Sequence, residues 1–155
     1  MKLTLINDLF IHQKIREMNC YGFEYMSLGY QSSVRSNLFG YFVNNAWMHC
    51  YYDEKLYNDD PLLEASEVLK DQPILWNALS LGTKKKASVM NLRYEVACIR
   101  TGITLCTTTT TGIKRILAVG DVCDEQRMFE KYQASLPLFN ECYEALDGYM
   151  QEHYV

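Results

Sequence analysis

Two tryptophans, a tyrosine and an Asp-Pro pair lie mid-chain in the order Trp47-x3-Tyr51-x8-Asp60-Pro61-x11-Pro73-x2-Trp76. Trp47 and Tyr51 are four apart, so on a helix they share one face, a turn from each other. Each offers a large apolar body with one polar handle, which suits a mostly apolar pocket that needs a few directed hydrogen bonds. Asp60 is an acceptor when ionised, and a carboxylate facing a pocket requires an N–H partner. Together they supply donors, an acceptor and a stacking plate for a small neutral ligand. Neither a metal cage nor an activated nucleophile is implied.

Several elements must position these groups. Leu3, Ile6, Leu9, Phe10 and Met18 approximate one helical stripe, which predicts an opening helix ending near Gly22. Residues 23–30 read as a strand, Gln31 to Asn37 as a polar turn, and Leu38 to Phe42 as a second strand. Asn44 or Asn45 can cap the helix that carries Trp47 and Tyr51. Asp60-Pro61 marks a turn or a helix start, because proline pushes its predecessor out of the helical region. Asp60 therefore serves as readily as a cap as it does as a ligand contact.

A further helix is predicted over Lys85 to Ile99, with Val89, Leu92 or Arg93, Val96 and Ile99 at helical spacing. Strands follow at Ile103 to Thr110 and Lys114 to Gly120, joined at Gly112. The five consecutive threonines are β-branched and fit a pleated strand. Last comes a long helix with an apolar stripe from Met128 to Met150 and a bend expected near Pro137. The pattern is α+β: a three-layer α-β-α sandwich around a mainly antiparallel sheet of about five strands. A ligand would sit between the sheet and the Trp47 helix, with Ile116 as a lining residue.

The 155 residues make one domain, long enough to bury a core without disulfides or metals. A formal charge of −4 argues against a nucleic-acid binder, which would carry a basic face. Lys84-Lys85-Lys86, the one basic run, reads as a solvated loop. The six cysteines show no C-x2-C pair and no regular framework, so most read as small buried hydrophobes in a reducing cytoplasm. No metal site and no cofactor are expected, and no membrane segment. Cys50 follows His49, but helix neighbours do not face each other, so no catalytic residue is assigned.

The central motif, Gly102-Ile103-Thr104-Leu105 after Ile99-Arg100-Thr101, and the segments Phe23 to Leu28 and Ser135 to Phe139 resemble the autoinducer-binding domain of LuxR-type quorum-sensing regulators. These bacterial transcription factors recognise N-acyl homoserine lactones. The resemblance covers nearly the whole chain, with one extra residue between Pro61 and Trp76. It implies that Trp47 donates to the lactone carbonyl, Tyr51 packs beside the ligand, Asp60 accepts from the amide N–H and Trp76 stacks on the lactone ring. Tyr94 and Ile99 would line the pocket by alignment, Pro61 would shape the turn, and Gly102 would permit close backbone approach at a strand start.

Two positions depart from the family pattern: Val43 replaces a tyrosine, and Ala118 stands where a hydroxyl donates to the acyl carbonyl. Both belong to the expected ligand site, and a carbonyl left unpaired there costs about 1–3 kcal/mol. Water, Tyr41 or a hydroxyl from Thr107 to Thr111 is the expected substitute. By this resemblance residues 1–155 form a signal-sensing domain without a helix-turn-helix domain, which senses a lactone and controls transcription through an attached DNA-binding domain. It would pair with a second copy or with another regulator of the family. The alternative is a stand-alone domain that dimerises with a full-length regulator and inhibits it, its lactone binding altered or lost.

Overall fold

The computed structural model describes residues 1–33 and 36–155. The turn expected over Gln31 to Asn37 falls in part on Val34 and Arg35, which lie outside the described residues. Six strands form one sheet among the described residues: β1 (Leu3–Leu5), β2 (Tyr25–Gln31), β3 (Leu38–Phe42), β4 (Ile74–Leu75), β5 (Thr101–Thr108) and β6 (Lys114–Asp121). Their order is β1-β3-β2-β6-β5-β4; β1 runs parallel to β3, and every other pair is antiparallel. The helices are α1 (Leu9–Met18), α2 (Asn45–Asp53), α3 (Pro61–Val68), α4 (Lys84–Val96) and α5 (Glu125–His153).

Strand alternation divides the sheet into two faces. Met26, Leu28, Tyr30, Leu117 and Val119 point to one core, closed by Ile11, Ile15 and Met18 of α1 and by Met128, Phe139, Leu146 and Met150 of α5. Tyr25, Leu38, Cys106, Ile116 and Ala118 point to the other, closed by α2, α3 and α4. Helices on both faces of an α+β sheet give the expected three layers. Pro137 lies within the continuous α5.

Four local expectations differ. The predicted opening helix begins only at Leu9. Before it, β1 pairs with β3, Leu3 is 1% exposed, and Ile6 N donates to Gly40 O at 2.8 Å. Helix formation starts at Asp8, whose carboxylate caps Phe10 N and Ile11 N. The sheet has a sixth strand because β1 and β4, at three and two residues, are too short to show a period. Lys84–Lys86 is the first turn of α4 rather than a loop, capped by Thr83, with Lys86 paired to Glu64. Of the cysteines only Cys106 and Cys142 are buried; Cys20 and Cys98 are exposed. No helix among the described residues is long and apolar enough to cross a membrane.

The chain's last turn returns to its start. Tyr149 and Tyr154 both donate to Asp8 Oδ2, at 2.7 and 2.9 Å, while Oδ1 caps α1. The Tyr149 hydrogen bond, against a smaller opposing effect of burial, holds the Asp8 carboxyl below its ordinary 3.8. A folded value below the unfolded one gives stability that is complete above the unfolded pKa and fades as pH falls through the lowered value. Asp8→Ala is expected to cost about 0.5–2 kcal/mol, the range for a lost helix cap. Urea unfolding at neutral pH should show this loss together with faster amide exchange over residues 149–155. An unchanged midpoint and unchanged exchange would mean that Asp8 ties nothing down.

Candidate functional site

Every group of the central motif except Pro73 lies on the α2–α3–α4 face of the sheet. Asn44 caps α2, accepting from Trp47 N at 2.9 Å, and this sets the helix phase that turns Trp47 and Tyr51 inward. Their rings lie 5.3 Å apart, and both are buried. Asp60 is the N-cap of α3 with Pro61 at the first helical position, and Asp60 Oδ1 accepts from Leu62 N at 3.0 Å. The cap and the site acceptor are therefore one carboxylate, each role using part of it.

Trp76 reaches the same place from a 3₁₀ turn after β4. Its Nε1 donates to Thr104 Oγ1 at 2.9 Å, and its ring lies over Gly102. A Cβ built on Gly102 would overlap Cδ2, Cε3 and Cε2 of that ring, so only glycine leaves room for the indole here. Tyr25 meets Trp76 edge-on, with ring centroids 5.3 Å apart.

The centre of these rings is filled by Arg93 of α4, which is 2% exposed. Its guanidinium grips Asp60 as a fork, Nη2 to Oδ2 at 2.5 Å and Nη1 to Oδ1 at 3.3 Å. Arg93 Nε donates to Tyr25 Oη at 3.2 Å. The guanidinium carbon lies 4.9 Å from the Trp47 ring centroid, 5.5 Å from Trp76, 5.8 Å from Tyr51 and 6.0 Å from Tyr25. Four rings at this range form a cation–π cage. Burial works to lower the Arg93 pKa, but Asp60, with Tyr25 and Tyr51, outweighs it and raises the value. Burial and the neighbouring Asp60 hold the Tyr51 phenol well above its ordinary value, so it donates to Asp60 Oδ2, at 2.7 Å.

Asp60 thus accepts four hydrogen bonds from its own chain, which is about all a carboxylate holds. The N–H partner that the sequence demanded is Arg93. Sequence reasoning offered Leu92 or Arg93 for one stripe position, and the carboxylate's need for a donor was the signal that could have chosen between them. In contrast, Trp47 Nε1 is buried without a hydrogen-bond partner among the described residues.

Beside the cage, toward the β2–β3 end, lies a cavity of about 40 Å³. Gly29 and Gly40 face each other across β2 and β3, and with Ala118 and Ile116 they form its floor. That volume holds a water or two, whereas a pocket for a drug-sized ligand has roughly 300–1,000 Å³. Ile116 and Ala118 line the cavity. Val43 does not: it is 38% exposed at the surface. Ile99 packs against Gly120, and Tyr94 stands outside the cavity, edge-on to Trp76, with its hydroxyl on Asn77.

The expected substitute donors lie elsewhere. Tyr41 packs on the opposite face, and its hydroxyl bonds His12. Thr108 to Thr111 line a separate surface groove, and the threonine on the cavity is Thr104. Cys50 has its thiol pKa pushed up, by burial first and then by Glu54 and Asp53, away from what a nucleophilic thiolate needs.

Two outcomes follow from this geometry. Asp60→Asn keeps a helix cap but strands the buried guanidinium, with an expected cost of about 3–5 kcal/mol in chemical unfolding. Adding Arg93→Met should recover part of that loss; strictly additive costs would mean that the pair is not coupled. Gly102→Ala should expel the Trp76 ring, with a loss of about 1–3 kcal/mol or more and a red-shifted tryptophan emission. Wild-type emission and stability would contradict the close approach.

No protein-family profile matches the sequence, and no curated protein sequence matches it. Solved structures do match. CepR2 from Burkholderia cenocepacia, described as an N-acylhomoserine lactone dependent LuxR family transcription factor, aligns with a TM-score of 0.61 at 16% identity over 83% of this chain and 76% of that one. Escherichia coli SdiA aligns at 0.58 and 17% over 85% and 60% of the two chains. SdiA in complex with octanoyl-rac-glycerol aligns at 0.58 and 15% over 88% and 58%. The match therefore spans about three-fifths of SdiA. The fold implied by the central motif is the fold that this chain shares with those proteins.

Proposed function

We propose that this chain is a regulatory domain of the lactone-receptor type that acts by pairing with chains of its own fold, with its headgroup site filled by its own Arg93. The single observation behind this reading is the Arg93–Asp60 fork inside the ring of Trp47, Tyr51, Trp76 and Tyr25. The four residues that the resemblance assigns to a lactone headgroup all contact one guanidinium. For a lactone's amide N–H to reach Asp60, it would have to displace a buried, charge-assisted donor. The adjoining cavity of about 40 Å³ is far smaller than a pocket for a drug-sized ligand.

In receptors of this type a signal stabilises the folded, pairing-competent domain by binding it and not the unfolded chain. Here the guanidinium supplies the Asp60 and ring contacts from within, so folding and pairing do not depend on a lactone. Such a domain regulates transcription either by bringing two attached DNA-binding units together or by tying up one chain of a full-length regulator. On this reading it works in the cytoplasm, without a cofactor and without catalysis.

The test fuses residues 1–155 to a DNA-binding head that represses a reporter only as a dimer, in cells that make no lactone. Repression without added lactone, unchanged across a panel of acyl lengths, is the expected result. Repression that appears only with a lactone would establish ligand-dependent sensing instead. A stably expressed fusion that represses under neither condition would end the pairing proposal.

A further inference from the structure

A neutral headgroup and a cation demand different surroundings, and the carboxylate and the rings about Arg93 suit a cation. Four aromatic ring centroids lie within 6.0 Å of its guanidinium carbon. The ring quadrupole attracts positive charge in that position, most strongly when the site is desolvated. Beneath them Asp60 presents both oxygens to two nitrogens of one guanidinium, a match of planar fork to planar carboxylate. Tyr25 Oη accepts from the third nitrogen. Most hydrogen-bonding groups nearby are already used, Trp76 Nε1 by Thr104, and Tyr51 Oη and Leu62 N by Asp60, while Trp47 Nε1 has no partner among the described residues.

From this geometry we infer that the site is a guanidinium-binding cage whose resident ligand is the chain's own Arg93, and that an alkylguanidinium is the class of small molecule it would take once that side chain is removed. The inference rests on the proposed function above and identifies what its headgroup site recognises. In the parent chain a free guanidinium compound does not compete, because the tethered group is present at a very high effective concentration. Shortening residue 93 breaks that tether and leaves the cage, Asp60 included, with room the size of the lost group.

The experiment follows thermal unfolding of Arg93→Ala with methylguanidinium or ethylguanidinium titrated at low millimolar concentration, far below denaturing levels. Parent protein and Arg93→Ala/Asp60→Asn serve as controls, and a parallel arm contains N-acyl homoserine lactones. The inference expects a saturable rise of several degrees in the melting temperature of Arg93→Ala, absent from the parent and from the double variant. A rise with lactones and none with guanidinium would overturn the inference and identify a neutral-headgroup site. A cooperatively melting Arg93→Ala that responds to neither also overturns it.

Should Arg93→Ala fail to fold, Arg93→Lys against Arg93→Met decides. A cage for charge retains more stability with lysine than with methionine. Methionine equal to or better than lysine would reduce Arg93 to a packing residue. The outcome of the reporter test is independent, since a parent chain can pair whatever its cage prefers.

Discussion

The Arg93–Asp60 pair ties three helices to the sheet. Asp60 starts α3, Arg93 projects from α4, Tyr51 bonds the pair from α2, and Tyr25 bonds it from β2 in the sheet. Taking two charges out of water costs several kcal/mol per ion, and only excellent geometry with satisfied neighbours recovers that cost. Here both carboxylate oxygens are saturated, and the exposed alternative for each group has been removed by packing. Such an arrangement contributes little net stability compared with an apolar core, but it penalises misplacement of any of the four elements. It selects one way of docking three short helices onto the sheet.

The opposite face of the sheet is built differently. α1 and α5 close an apolar core in which strand residues alternate with outward neighbours, and no ion pair is needed to fix it. Charged pairs on that side flank the apolar core. Arg115 pairs with Asp147 and stacks on Tyr143, and Lys131 pairs with Asp121. The molecule thus has a conventional hydrophobic platform on one side and a polar, aromatic, tightly constrained site on the other. Buried polar networks are costly when incomplete, and the cage keeps one buried donor, Trp47 Nε1, without a partner among the described residues.

The glycines of the site show how little space separates an open pocket from a closed one. Gly102 lets the Trp76 ring lie on the strand, and the facing pair Gly29 and Gly40 keeps the floor low beside it. With those residues alone the face would be hollow. One long side chain entering from α4 converts the hollow into a packed interior, which is why a likeness of fold to proteins described as lactone-dependent or as complexed with octanoyl-rac-glycerol is compatible with a different occupant here.

The sequence by itself determined the local geometry of Trp47, Tyr51, Asp60 and Gly102. The four-residue spacing of Trp47 and Tyr51, the cap that proline imposes on Asp60, and the glycine before Ile103 act over a few residues, where helix period and backbone sterics are decisive. The layer architecture followed from the same periodicities in β2, β3, β5, β6 and α5. Strands of two and three residues left no period to read, so β1 and β4 emerged only when they paired across the sheet. Arg93 is the deeper case. Helical spacing placed either Leu92 or Arg93 on the inner face, and composition favours the leucine; only the tertiary meeting of α4 with α3 brings a buried carboxylate within reach of the guanidinium. A charge enters a protein interior when a partner fixed by other parts of the chain awaits it there, and that is a property of the assembled fold rather than of any segment.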